Sequence, residues 1–206
     1  MLTPEELKSR DYSLIIDRSA SMGTPDQRGG KTRWEVIQEA TLELARQCEK
    51  IDPDGITVYV FAGRFKRYDN VTTSKVEQIF QENFPAGGTN LDGVLRDALD
   101  NYFQRKENGS AKPSGEIILV VTDGAPDDKP PVIEVIVEAT RRIERDSELG
   151  ISFIQIGSDP EATRFLKELD DDLGKNGAKY DICDTLTFDD LEDIPPHEVL
   201  FRAITD

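Results

Sequence analysis

Short apolar or β-branched runs alternate with amphipathic stretches, turn signals separate them, and the length of 206 residues suits one core. Together these predict an α/β domain. The expected fold is a Rossmann-like, doubly wound, mostly parallel six-stranded sheet, with one antiparallel edge strand and helices on both faces. Residues 1–206 form a single domain.

Thr3-Pro4-Glu5-Glu6 opens a short helix: a hydroxyl cap, proline at the first position and acids in the first turn. Tyr12 to Ile16 is a short buried strand, and Asp17 is the first residue past it. Gly23 to Thr32 is rich in turn formers and long for its place. Arg33 to Lys50 is helical, with Trp34, Ile37, Leu44 and Cys48 at helical spacing. After the Asp52-Pro53-Asp54-Gly55 turn, Ile56 to Ala62 is a β-branched and aromatic strand. Arg64 to Val71 is a polar edge strand, where Arg64, Lys66 and Arg67 suit exposure. Ser74 to Glu82 and Asn90 to Gln104 are helices. Ile117 to Val121 is apolar throughout, as a strand covered on both faces should be. A helix over Pro130 to Leu149, a strand over Ile151 to Ile156, a helix over Pro160 to Leu173 and a strand over Ala178 to Cys183 complete the alternation.

Composition narrows the function. The formal charge is −16, from 25 basic and 41 acidic residues, which disfavours a nucleic-acid partner or an anionic membrane surface. No run approaches the length of a membrane-spanning helix. Met1 to Glu6 has no basic segment followed by an apolar one, as a secretion signal would. Cys48 and Cys183 are the only cysteines and form neither a disulfide framework nor a zinc pattern. Both are expected to be free thiols in a reducing cytoplasm. The Asp170-Asp171-Asp172 run lacks the spaced ligands of a calcium loop and is expected to be a solvated charge cluster.

Three loops carry chemistry. Asp17-Arg18-Ser19-Ala20-Ser21 puts a carboxylate and two hydroxyls at alternate positions where the first strand runs out. Gly87-Gly88-Thr89-Asn90 precedes a helix, and Val121-Thr122-Asp123-Gly124 closes an apolar strand. Hard oxygen donors on tight loops suit a small hard cation. Each residue also has an ordinary role. Asp17, Ser19 and Ser21 suit a turn, Thr89 can cap the next helix with Asp92 as its partner, and Asp123-Gly124 is a common turn pair.

The order DxSxS, GGT, TDG resembles the von Willebrand factor type A domain, of an intracellular prokaryotic type, over about residues 11–184. A C-terminal helical region follows from about 187 to 206. The resemblance implies a metal-ion-dependent adhesion site, or MIDAS, with Asp17, Ser19, Ser21, Thr89 and Asp123 as its metal residues. It implies Mg²⁺, with Mn²⁺ or Ca²⁺ as alternatives, and a protein partner contributing an Asp or Glu. The chain itself is expected to be a cytoplasmic monomer and not an enzyme.

The rival class is a metal-dependent hydrolase or phosphatase using the same site. Ser19 stands where a dehalogenase-type phosphatase places its second carboxylate. Gly29-Gly30-Lys31-Thr32 only echoes a phosphate loop and lies too far from its strand. A Ser-His-Asp triad would need His197, the sole histidine, in a polar C-terminal stretch.

Overall fold

The computed structural model describes residues 4–51, 54–188, 198–199 and 203. Six strands form one sheet: β1 (Asp11–Asp17), β2 (Ile56–Phe61), β3 (Phe65–Val71), β4 (Glu116–Thr122), β5 (Leu149–Gln155) and β6 (Cys183–Thr187). Their order is β3-β2-β1-β4-β5-β6; every neighbouring pair is parallel except β2 with the edge strand β3. The fold class expected from the sequence is the one observed. After Phe65 the exposed residues of β3 are polar, which protects the sheet edge from pairing with another chain.

The helices α1 (Pro4–Lys8), α2 (Arg33–Ile51), α3 (Thr73–Glu82), α4 (Leu91–Glu107), α5 (Lys129–Arg142) and α6 (Pro160–Asp171) cover the sheet. Leu14, Ile16, Val58, Val60, Leu119 and Val121 share one apolar cluster with residues of α2 and α3. Ile15, Tyr59, Phe61, Ile118 and Val120 share the other with residues of α4, α5 and α6. Because alternate residues of β1 and β4 enter opposite cores, Leu14 to Ile16 and Ile117 to Val121 must be apolar on both faces, while Ser13 is buried by donating to Glu116. That requirement explains why their sequences read as continuous runs.

Three boundaries differ from expectation. The predicted helix over Pro130 to Leu149 ends at Arg142, and Ile143 turns extended. Glu148 is drawn inward, where its carboxylate accepts from Lys106 Nζ at 2.7 Å, Tyr102 OH at 2.9 Å and the Glu144 amide at 3.1 Å. A helix through 149 would carry Glu148 away from these donors. The last strand begins at Cys183, not Ala178. Residues 178–182 cross over as loop, held where Lys179 N donates to Thr140 Oγ1 and Tyr180 OH to the Glu144 carbonyl. The strand runs on to Thr187, so the C-terminal helical region cannot start there. Most of that region, with His197, lies outside the described residues, as does the Thr3 cap.

The turn at β1 and β4 matters most. From β1 the chain crosses to β2 on one side, and from β4 to β5 on the other. Strand order therefore reverses between β1 and β4, which opens a crevice beyond their carboxyl ends, where ligands bind in sheets of this kind. Asp17 and Asp123 stand at those two ends.

Candidate metal centre

Asp17 ends β1 fully buried, paired in register with Phe61 of β2. Its Oδ1 accepts the Ser19 amide at 2.6 Å, and its Oδ2 accepts the Thr122 hydroxyl at 2.7 Å. The first bond is an Asx turn, so Asp17 fills its expected turn role as well. It folds the chain into a 3₁₀ turn over Ala20–Gly23, anchored by the buried Met22. Burial pushes the Asp17 carboxyl up to about 6; the Ser19 amide and Thr122 hydroxyl oppose it, and the Asp123 charge adds to it.

Ser19 Oγ and Ser21 Oγ lie 3.1 Å apart, and both donate to Asp123 Oδ1, at 3.4 and 2.9 Å. Three oxygens from two distant loops thus converge on one point. Ser19 and Asp123 are buried while Ser21 is exposed, so the cluster opens on one side to solvent.

Thr89 arrives on the third loop through backbone. Ala20 N donates to the Gly87 carbonyl, Ala86 N to Arg18 O, Asn90 N to Ala62 O and Asp127 N to Thr89 O. The Asp127 carboxylate returns the last contact, accepting Thr89 N at 2.9 Å. A Cβ on Gly88 would stand 2.7 Å from Asp127 Oδ2, so any side chain there would push that carboxylate off Thr89 N. The helix cap is Asn90, whose Oδ1 accepts Gly93 N at 3.3 Å. Thr89 is therefore not engaged as the cap that its sequence position allows.

Arg33, which sequence reasoning overlooked, is the cation of this site. Its Nη1 donates to Asp123 Oδ2 at 2.8 Å, while Nε and Nη2 grip both oxygens of Asp26. The guanidinium lies against Gly157, where any Cβ would meet Arg33 Cζ at 2.6 Å. Arg33 is the first residue of α2, and the capping box before it was legible: Thr32 Oγ1 accepts Glu35 N, and Glu35 Oε2 accepts Thr32 N. The box fixes where α2 starts. That a first-turn arginine reaches Asp123 ninety residues away depends on the fold. Asp26 ties the Gly23 to Thr32 connection to the same point, which puts that loop on the rim of the centre.

Among the described residues, no cluster of three or more His, Cys, Asp or Glu side chains is placed to hold a metal. Any cation at this centre must use hydroxyls beside its two carboxylates.

The family model for the von Willebrand factor type A domain matches residues 12–125, just over half of the chain. The chain belongs to that family. The match takes in all three loops of the centre. Among curated proteins, this type A domain is similar to vitrin from Homo sapiens, 26% identical over 153 residues, covering 71% of this chain and 20% of vitrin. Vitrin from Bos taurus is 25% identical over 185 residues, covering 86% of the chain and 25% of vitrin. The chain thus spans a quarter or less of these relatives. Among solved structures it resembles the manganese-loaded TRAP protein of Plasmodium vivax, with a TM-score of 0.59, 15% identity, and coverage of 97% of this chain and 74% of that one. The D319A mutant of the PilB minor pilin from Streptococcus sanguinis gives a TM-score of 0.56 at 14% identity, covering 93% and 62%. At these identities the likeness speaks to the fold.

Proposed function

We propose that this type A domain is a divalent-metal-dependent protein-interaction module: Asp17, Ser19, Ser21, Thr89 and Asp123 hold Mg²⁺ as a MIDAS, and an Asp or Glu of a partner protein completes the site. The observation that carries this reading is the convergence of Ser19 Oγ, Ser21 Oγ and Asp123 Oδ1, 2.9 to 3.4 Å from one another. Neighbouring ligands around octahedral Mg²⁺, at its usual bond length, stand roughly 2.9 Å apart. Around Ca²⁺ the spacing widens to roughly 3.3–3.7 Å. The observed 2.9 to 3.4 Å spans both ranges, so it is the hard oxygen donor set that points to Mg²⁺, with Mn²⁺ or Ca²⁺ as alternatives.

Bound there, the ion supplies a partly hydrated positive charge for an incoming carboxylate. The chain's own residues do the rest. The Ser19 amide and Thr122 hydroxyl hold both oxygens of Asp17. Arg33 takes the outer oxygen of Asp123, fixing its rotamer and neutralising part of its charge.

We further propose that the protein is an intracellular prokaryotic monomer acting in the cytoplasm, with neither nucleic acid nor membrane as partner. Two observations support the choice of partner and of a reducing compartment. The charge of −16 opposes polyanions. Cys48 and Cys183 are buried free thiols in different cores, unable to pair with each other. No helix among the described residues is long and apolar enough to cross a membrane.

Calorimetric titration with Mg²⁺ and Mn²⁺ tests the proposal. Wild type should bind one ion per chain and the Asp17→Ala variant should bind none, while its circular dichroism stays native. Equal metal binding by Asp17→Ala would sink the assignment.

A further inference from the structure

The rim of the metal centre is not the same on its two sides. Among the described residues, the exposed large hydrophobic side chains are Phe84, at 69%, and Phe65, at 37%. Both lie on the β2–β3 side of the centre. Phe65 opens β3 directly after the β2 turn, and residues 84–88 lie over the ends of β1 and β2. Four hydrogen bonds hold this loop in place. Ala86 N donates to Arg18 O at 2.7 Å, and Arg18 Nη1 returns to the Phe84 carbonyl at 3.2 Å. Asn83 Nδ2 donates to Ile79 O at 2.7 Å and to Tyr68 OH at 3.0 Å. Pro85 restricts Phe84 to extended backbone, and its ring stands beside Gly23.

Phe84 is thus a large apolar side chain held out to solvent by a braced loop. Near it are Arg18, which donates to its carbonyl, and Arg64 in the turn after β2, against one acid, Glu82, two residues before it. Across the centre, on the β4–β5 side, the loop ends carry Asp127, Asp128 and Asp159, against Lys129, which is paired with Glu161. The balance of charge is positive beside Phe84 and negative across the centre, which favours a partner carboxylate approaching from the Phe84 side.

We propose that Phe84 is the apolar anchor of the interaction surface, and that the partner presents its acidic residue beside a large apolar side chain that covers the ring. This rests on the metal-bridged reading above and adds the partner's chemical class to it. An aromatic fixed before binding loses little freedom on contact, which is why such residues dominate interface energetics.

The test is selection from a phage-displayed random-peptide library on the immobilised full chain with Mg²⁺, eluting with chelator. The expected consensus pairs Asp or Glu with a neighbouring Leu, Ile, Phe or Trp. Phe84→Ser should weaken the selected peptide roughly tenfold, the loss of one buried aromatic contact, while Mg²⁺ affinity is unchanged and Phe84→Leu largely restores binding. An acidic consensus with no apolar neighbour, or unaltered binding by Phe84→Ser, overturns this inference and leaves the metal bridge standing. Peptides that lack an acid or resist chelator defeat the metal-bridged reading itself. Failure to enrich any peptide over the Phe84→Ser surface also counts against the anchor.

Discussion

Asp123 divides its carboxylate between two tasks. Oδ1 meets the serine hydroxyls and Oδ2 meets Arg33, so the arginine sets both the rotamer and the charge that an ion would feel. Asp26 balances Arg33 in turn, through a bidentate contact of the kind that gives the guanidinium fork its specificity. Arg33→Gln removes a unit of positive charge that is 13% exposed and within hydrogen-bonding reach of Asp123. Arg33 repels a bound dication and competes with it for the Asp123 charge; at 2.8 Å that competing ion pair amounts to about 6 kcal/mol at an effective dielectric of 20, before the lost positioning of Asp123 is set against it. The net expectation is tighter Mg²⁺ binding by roughly tenfold, read by calorimetry. Weaker binding would mean that Arg33 matters more for orienting Asp123 than for its charge.

At the scale of elements, the centre joins three loops with different stiffness. The β1 loop closes on itself through the Asp17 Asx turn and the 3₁₀ turn behind it. The loop before α4 is held from outside, by carbonyl and amide contacts to residues 18, 20, 62 and 127. Asp17, Ser19 and Ser21 can therefore grip an ion without the Thr89 loop, whereas an incoming ligand must meet both. Thr89→Ala is expected to weaken an acidic, chelator-sensitive peptide more than it weakens Mg²⁺, with both affinities measured on the same preparation. If the two fall together, Thr89 serves the ion alone. If neither falls, its hydroxyl lies outside the site.

For the whole molecule, the end of the sheet opposite the metal centre bears on acid stability. Glu148 lies where α4, the end of α5 and the start of β5 meet, and closes that corner through Tyr102, Lys106 and the Glu144 amide. Burial alone would raise its carboxyl, but Lys106, the amide and the Tyr102 hydroxyl together hold it below the ordinary 4.5. A depressed folded-state value means that the unfolded chain takes up protons first. Glu148 thus stabilises the fold fully above about 4.5 and loses that contribution as pH falls through the lower folded-state value. Glu148→Gln should cost about 1–2 kcal/mol in urea unfolding at neutral pH, with the gap to wild type closing below pH 4. A gap that persists unchanged in acid would show that shape rather than charge holds the corner.

The sequence by itself determined the sheet, because the middle of a strand that enters two cores must be apolar on both faces and an edge strand must not be. Leu14 to Ile16 and Ile117 to Val121 declare the first condition; Arg64, Lys66 and Arg67 declare the second. It also determined which loops carry oxygen donors, since Asp17, Ser19, Ser21, Thr89 and Asp123 stand in local patterns that can be read within a few residues. Only the tertiary structure decided where α5 stops, because Glu148 answers to Tyr102 and Lys106 on another helix rather than to its own neighbours. It decided that Asn90 caps α4, leaving Thr89 to the loop. It also decided that Arg33 faces Asp123, and that Gly157 is small enough to let it. Local periodicity and capping are written along the chain within one or two turns. A contact between residues ninety positions apart is settled only when the crossover between strands brings their ends together.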